Sequence, residues 1–312
     1  MAAQTQRRIL VAGAALIDRT GWLHNRAAPG CSNPGKFDET PGGTALNVAS
    51  VLACLGQDAE LITKIGADAS GQMLLDQLQA RGVRTLPDYA DHKDASTGTY
   101  TSIIEPDGSL FIAISDAGLY QQFDVAPYQE VLNRLGAQDY LCVESNLPGS
   151  ALQGLLAESQ ARHVGLTVSK AKAHKLRPAL DQLDLLFTNQ VEAFALFELS
   201  DSGDETEIVN ALRNAMAGTS RLSAAVISNG PDTVLIVDRD HATSLPVHPA
   251  ETVVDVTGAG DALVGATLSG LMTGKNLRNS VEFGIEAAHA TIQFAGAYQS
   301  DLAERIQSSR PR

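Results

Sequence analysis

Seven consecutive residues, Asp255-Val256-Thr257-Gly258-Ala259-Gly260-Asp261, carry the strongest chemical pattern in the chain, and the small, apolar run Ala262-Leu263-Val264-Gly265-Ala266 follows them. Gly258, Ala259 and Gly260 have almost no side chain, so their backbone amides can crowd against an anion where the chain turns into a helix. Those amides and the helix dipole would stabilise charge on a phosphoryl group in transit. Asp261 falls at the helix start, where a carboxylate accepts the proton of a substrate hydroxyl as its oxygen attacks. The competing reading is an N-cap aspartate behind a glycine turn. That suits a lone Gly-x-Gly-Asp, whereas the whole heptapeptide favours the chemical one.

A second segment, Pro41-Gly42-Gly43-Thr44-Ala45-Leu46-Asn47, sets two glycines ahead of a helix. Glycines there let a ligand approach the backbone, and Asn47 offers hydroxyls both a donor and an acceptor. Taken alone, it reads better as a turn that starts a helix.

The elements that must position these segments follow from hydrophobic spacing. Ile9 to Ala12 reads as a buried strand, 45–55 as a helix stopped at Gly56, 59–65 as a strand and 70–79 as a helix. This βαβα rhythm predicts a mostly parallel sheet with helices on its faces. Two strand-like runs, 97–105 and 109–115, flank Glu105-Pro106-Asp107-Gly108 and predict a β-hairpin instead. The hairpin and parts of 14–40 are expected to form a small separate sheet. From Asp139 the rhythm resumes, with strands at 140–143, 163–168, 185–188, 224–228 and 233–237. Helices are expected at 150–161, 190–199, 205–217, 261–273 and 277–294. Residues 1–312 thus read as one α/β domain whose lid comes from parts of 14–40 and 97–116.

Both glycine segments resemble the signatures of the PfkB (ribokinase-like) carbohydrate kinase family. The first carries Ala49, Gly56 and Gly66 downstream, as that family does, and order and separation fit over nearly the whole chain. The resemblance implies a three-layer α/β domain with a mostly parallel central sheet and a small β-sheet lid over the sugar. It implies ATP with Mg²⁺ as donor and transfer to a primary hydroxyl. Asp261 would be the base and Gly258, Ala259 and Gly260 the anion hole. Asp18, Gly42, Gly43 and Asn47 would hold substrate hydroxyls. Asn189 and Glu192, in Asn189-Gln190-Val191-Glu192, would organise Mg²⁺ and phosphates through water, though the same tetrapeptide reads equally as a helix start with a surface glutamate. Thr257, Ser228 and Gly230 would line the nucleotide. The pattern departs at Pro231-Asp232-Thr233, where the family often has a second glycine, and at Thr44, where it often has a small residue without a hydroxyl. Asp255 either holds K⁺, with carbonyls near Thr257, Ala290 and Gly296 and with Ser300, or caps its own loop.

Two weaker likenesses concern the acceptor. Ser32-Asn33-Pro34-Gly35-Lys36 and Phe111-Ile112-Ala113-Ile114-Ser115-Asp116 resemble segments of bacterial pseudouridine kinases, which implies Asn33, Lys36 or Asp116 facing a base or ribose. On physical grounds alone they are lid-loop residues, with Lys36 solvated. Other acceptors of the family (ribose, fructose phosphates, ketodeoxygluconate) stay open, as does a sensor that kept the fold without the chemistry.

Composition narrows the rest. With 312 residues, 44% hydrophobic and 19% charged, the chain is an ordinary soluble globule. A net charge of −13 argues against a general nucleic-acid surface. Cys31, Cys54 and Cys142 form no CxxC pair and fit free thiols in a reducing cytoplasm. The sequence has no signal-peptide pattern and no apolar run near the ~18 residues of a membrane span. Gly13-Ala14-Ala15-Leu16-Ile17-Asp18 lacks the GxGxxG turn of a dinucleotide enzyme. Exposed lid edges favour a homodimer formed through the lid.

Overall fold

A computed structural model describes residues 7–86, 95–201, 203–218 and 220–308. Strands covered on both faces lose the polar alternation of half-exposed ones, and β1 (Ile9–Ala12) is buried at every position. It leads into β2 (Leu16–Leu23), β3 (Gly35–Gly42), α1 (Thr44–Cys54), β4 (Ala59–Ile62), α2 (Ala69–Ala80) and a two-residue β5 (Arg84–Thr85). Then come the hairpin β6 (Thr99–Ile104) and β7 (Leu110–Asp116), a short α3 (Gln129–Leu132), β8 (Tyr140–Glu144), α4 (Gly149–Ala157) and β9 (Arg162–Leu166). The chain continues through β10 (Leu185–Asn189), α5 (Gln190–Leu196), α6 (Glu205–Ala215), β11 (Ala224–Asn229), β12 (Thr233–Asp238) and β13 (Ala242–Pro246). It closes with α7 (Ala259–Met272), α8 (Leu277–Thr291) and α9 (Leu302–Ser308).

The large sheet has nine strands in the order β13-β12-β11-β10-β9-β8-β1-β4-β5. It is parallel from β5 to β11, and β12 and β13 add an antiparallel edge. One face packs on α4, α5 and α6 through Leu152, Leu155, Phe194, Ile208 and Leu212. The other packs on α1, α2, α7 and α8 through Leu46, Leu74, Leu268 and Val281. This is the expected three-layer arrangement. It brings the C-terminal ends of β1, β8, β10 and β11 to one edge, where ligands of parallel sheets bind.

The second sheet has four strands, β3-β2-β6-β7. The expected hairpin is there, closed by Glu105 N donating to Ser109 O at 2.8 Å, with Gly108 at φ 86°. β2 and β3 are the strands expected from parts of 14–40: β2 opens on the buried Leu16 and Ile17, and β3 is exposed over most of its length. Rows across the sheet alternate in direction. Asp18, Thr40, Tyr100 and Ser115 share a row, and Gly21, Phe37, Ile103 and Ile112 form a row on the opposite face.

Boundaries moved where backbone conformation, not side-chain spacing, decides. α7 begins at Ala259, before Asp261, because Gly258 takes a left-handed turn at φ 79°. α5 stops at Leu196, and Glu198 turns the chain with φ 55°. Features without a sequence signal include β13, the edge strand that pairs with β12, and the 3₁₀ segment Ala173–Gln182 around Pro178. Among the described residues no helix is long and apolar enough to cross a membrane.

Candidate active site

Asp261 stands in the first turn of α7. Asn47, buried on α1, donates from Nδ2 to Asp261 Oδ2 at 2.7 Å. Its Oδ1 is buried with no protein partner, an open acceptor beside the carboxylate. Burial pushes the Asp261 carboxyl up to about 7; the Asn47 bond pulls it down, and the charges of Glu144, Asp18 and Glu192 add to the rise. Three more carboxylates therefore act on Asp261.

The turn before α7 has little freedom. A Cβ on Gly258 would stand 2.6 Å from Ala297 Cα, and φ 79° disfavours any other residue. Asp255 braces this turn. Its Oδ1 accepts from Thr257 N and its Oδ2 from Gly296 N, both at 2.9 Å. Burial alone would raise the Asp255 carboxyl, but the bonds from Thr257 and Gly296 outweigh it and hold it below the usual carboxylate range. Asp255 thus caps its own loop and ties it to Gly296.

The paired glycines are equally constrained. A Cβ on Gly42 would stand 2.0 Å from Asp18 Oδ2, and one on Gly43 (φ 102°) 2.4 Å from Ala14 O. Gly42 leaves room for the Asp18 carboxylate, which burial raises to about 6.

On the far side, Asn189 caps α5 by accepting from Glu192 N at 2.8 Å. Glu192 is buried, accepts from the Thr167 hydroxyl and is pushed upward by that burial. A cavity of about 140 Å³ joins Thr188, Asn189, Glu192, Ser228, Gly260 and Asp261. A second cavity, about 460 Å³, shares Ser228 and Gly260 with it and continues between Gly230, Val256, Leu263 and His289. It is mostly apolar, in the size range of small-ligand pockets.

Asp18, Gly42, Gly43, Asn47, Asn189, Glu192, Ser228, Gly230 and the 255–261 segment thus gather at one edge. Asn33, Lys36 and Asp116 do not join them. Asn33 spends its amide on its own loop, donating to the carbonyls of Ala28 (3.1 Å) and Cys31 (3.0 Å) and accepting from Ala28 N at 2.8 Å. Lys36 pairs with Asp38 at 3.5 Å and sits opposite Trp22, four residues along β2 from Asp18. That is roughly 13 Å at strand spacing. Asp116 shares its row with Thr99 and Ile17, on the face turned away from Asp18.

Sequence reading missed Glu144. It ends β8 fully buried, accepts from Ala14 N, from Asn146 N at 2.7 Å and from Asn146 Nδ2 at 3.2 Å, and burial raises its carboxyl. Lys172 Nζ donates to Asn146 Oδ1 at 2.6 Å. A glutamate closing the otherwise apolar Tyr140-Leu141-Cys142-Val143 strand was the available signal.

Comparison with known proteins gives the family. The family model "pfkB family carbohydrate kinase" matches residues 6–304. The chain belongs to the PfkB family, with a ribokinase-like fold, and is a sugar or nucleoside kinase. It is 31% identical to the pseudouridine kinase of Escherichia coli over 88% of this chain and 87% of that protein. It is 27% identical to the ribokinase of Bacillus subtilis over 93% of this chain and 94% of that one. A carbohydrate kinase from Agrobacterium tumefaciens superposes with a TM-score of 0.81 at 32% identity, covering 98% of each chain. A ribokinase from Arabidopsis thaliana, complexed with ribose and ATP, superposes with a TM-score of 0.82 at 18% identity, covering 97% of this chain and 99% of that one.

Proposed function

We propose that this kinase transfers the γ-phosphoryl group of ATP to a nucleoside hydroxyl, converting pseudouridine to pseudouridine 5′-phosphate. The observation that carries the mechanism is the Asn47–Asp261 bond beside the turn of Gly258, Ala259 and Gly260. Asp261 takes the proton of the attacking hydroxyl, and the turn's amides face the charge that develops on the phosphoryl group. Asp18, Gly42, Gly43 and the open Oδ1 of Asn47 orient the acceptor. The apolar cavity beyond Ser228 and Gly230 takes the nucleotide base, with Thr257 beside the phosphates.

Glu192 and Asn189 line the same cavity as Asp261 and suit a hydrated Mg²⁺, held through water. Bound there, Mg²⁺ would neutralise phosphate charge. A K⁺ at Asp255 would share a carboxylate that already accepts two amides, with carbonyls near Thr257, Ala290 and Gly296 and with Ser300 to complete its shell. The exposed apolar row of the lid, with Phe37 63% and Ile112 50% accessible, supports a homodimer through that sheet, and a cytoplasmic setting belongs to the same reading.

Pseudouridine rests on the likeness to the E. coli enzyme. A free-sugar acceptor is the second reading, favoured by the place of Lys36, opposite Trp22 and four residues along β2 from Asp18, and by the loop bonds that occupy Asn33. The test is ADP release from Mg·ATP with pseudouridine, uridine, ribose, fructose and ketodeoxygluconate. Turnover with pseudouridine well above the rest is expected. Turnover only with free sugars rejects the nucleoside reading, and none with any acceptor favours a sensor.

A further inference from the structure

The loop between α8 and α9 makes the back wall of the anion turn without regular secondary structure of its own. Its Ile292 carbonyl accepts from Val254 N at 2.8 Å and Asp255 N at 3.3 Å, and its Gly296 amide reaches Asp255. Ala297 lies so close to Gly258 that a single Cβ there would overlap it. The next residue, Tyr298, meets Arg81. The guanidinium of Arg81, at the C-terminus of α2, stacks over its ring at 4.3 Å and also donates from Nη1 to Ser50 Oγ on α1 at 3.2 Å. Cys54, at the end of α1, reaches the carbonyls of Gln299 (3.6 Å) and Ser300 (3.4 Å). The α1 that carries Asn47 toward Asp261 thus also anchors, through Ser50 and Cys54, the loop that backs Gly258.

We infer that Arg81 and Tyr298 are positioning residues for phosphoryl transfer: their stacked pair clamps the loop to α1 and α2 and so sets where the 258–260 amides point. Neither residue lines the Asp261 cavity, so both act through Ala297 and Gly296. The inference rests on the kinase reading for its effect on rate. Its mechanical part, the coupling of loop to turn, stands on the geometry alone. An irregular loop has no internal ladder to fix its place, and misplacement of a reacting group by about 1 Å can cost roughly 100-fold in rate. An external clamp on this loop therefore acts on kcat more than on acceptor affinity.

The experiment compares Arg81→Met, Arg81→Lys, Tyr298→Ala, Tyr298→Phe and the double variant Arg81→Met/Tyr298→Ala. It records kcat, the KM of both substrates and the unfolding midpoint, together with amide hydrogen exchange over 254–262 and 293–300 in the ligand-free protein. Arg81→Met and Tyr298→Ala should each lower kcat about ten-fold or more, with the acceptor KM within about twofold. The double variant should be little worse than either single one. Arg81→Lys and Tyr298→Phe keep a cation over a ring and should recover most of the loss. Exchange over 254–262 should quicken in Arg81→Met, Tyr298→Ala and the double variant and stay unchanged in the two conservative ones. Unchanged kcat with unchanged exchange overturns the inference, as does a loss that the conservative variants share. Should the wild-type protein release no ADP with any acceptor, the kinase reading fails, and the exchange comparison alone decides whether the pair holds the turn.

Discussion

Asn47 and Asp261 lie 214 positions apart and meet at 2.7 Å, the first signature on α1 handing a hydrogen bond to the second on α7. This one contact joins the glycine pair that would hold the acceptor to the carboxylate that would deprotonate it. On the proposed mechanism, Asp261→Asn should still bind ATP and acceptor yet lose at least about 10²-fold in kcat, the scale of general-base catalysis. Near-normal kcat in that variant would remove Asp261 from the mechanism.

The same bond sets a pH dependence. The base must be ionised, so kcat/KM should fall as pH drops through about 7, where the Asp261 carboxyl titrates. Asn47 stabilises the ionised form, so Asn47→Ala should raise the Asp261 pKa and move the acid limb toward higher pH. A pH–rate profile of the two proteins checks this; an unmoved limb would show that another group controls it.

Stability should run the opposite way from activity. Asp261 and Asp18 titrate at about 7 and about 6 in the fold, both up from 3.8, so the native state binds more protons than the unfolded chain between those limits. Stability is therefore lost as pH rises from about 4 through about 7. Asp261→Asn should stabilise the protein at pH 8, on the order of 1–2 kcal/mol, and much less at pH 4. Denaturant unfolding at the two pH values measures the difference, and equal effects at both would contradict it.

What the sequence made legible was what is contiguous in it. The 255–261 turn and the 42–47 segment each hold donors, glycines and a polar side chain within a few residues. Their meeting could be expected only through a family likeness, not from spacing. Glu144, by contrast, works through a partner at Ala14 that reaches it by folding, and Arg81 finds Tyr298 in the loop between α8 and α9. The lid sheet was legible as a contribution from parts of 14–40, but the bounds of its strands were not, because β3 is exposed along most of its length and needs no apolar alternation. Asn33, Lys36 and Asp116 were linked to the acceptor by segment likeness, but strand register sends Asp116 to the other face, and loop bonds occupy Asn33.

The mouth of the apolar cavity offers a test that spares the fold. Val256 is 69% exposed and lines that cavity, beside the turn proposed to face the phosphates. Val256→Asp adds a like charge near the nucleotide and should raise the KM for ATP several-fold, with the acceptor KM and the unfolding midpoint unchanged. A rise in acceptor KM alone would place the acceptor, not the nucleotide, in this cavity.

Glu144 is fully buried, and its removal separates structure from electrostatics. Its carboxylate accepts from Ala14 N and Asn146 N, and Gly13 leaves it no slack, since a Cβ there would stand 2.2 Å from Oε1. Glu144→Ala strands those donors and should cost about 1–3 kcal/mol in stability. Glu144→Gln keeps an acceptor oxygen for one of them and removes the charge. It should therefore be less destabilised than the alanine variant. Because the charge of Glu144 raises the Asp261 carboxyl, Glu144→Gln should also shift the acid limb of kcat/KM toward lower pH. That direction is opposite to the Asn47→Ala shift. Two variants on either side of one carboxylate, displacing its titration in opposite senses, would tie the acid limb to Asp261; shifts of the same sign would assign it to a different group.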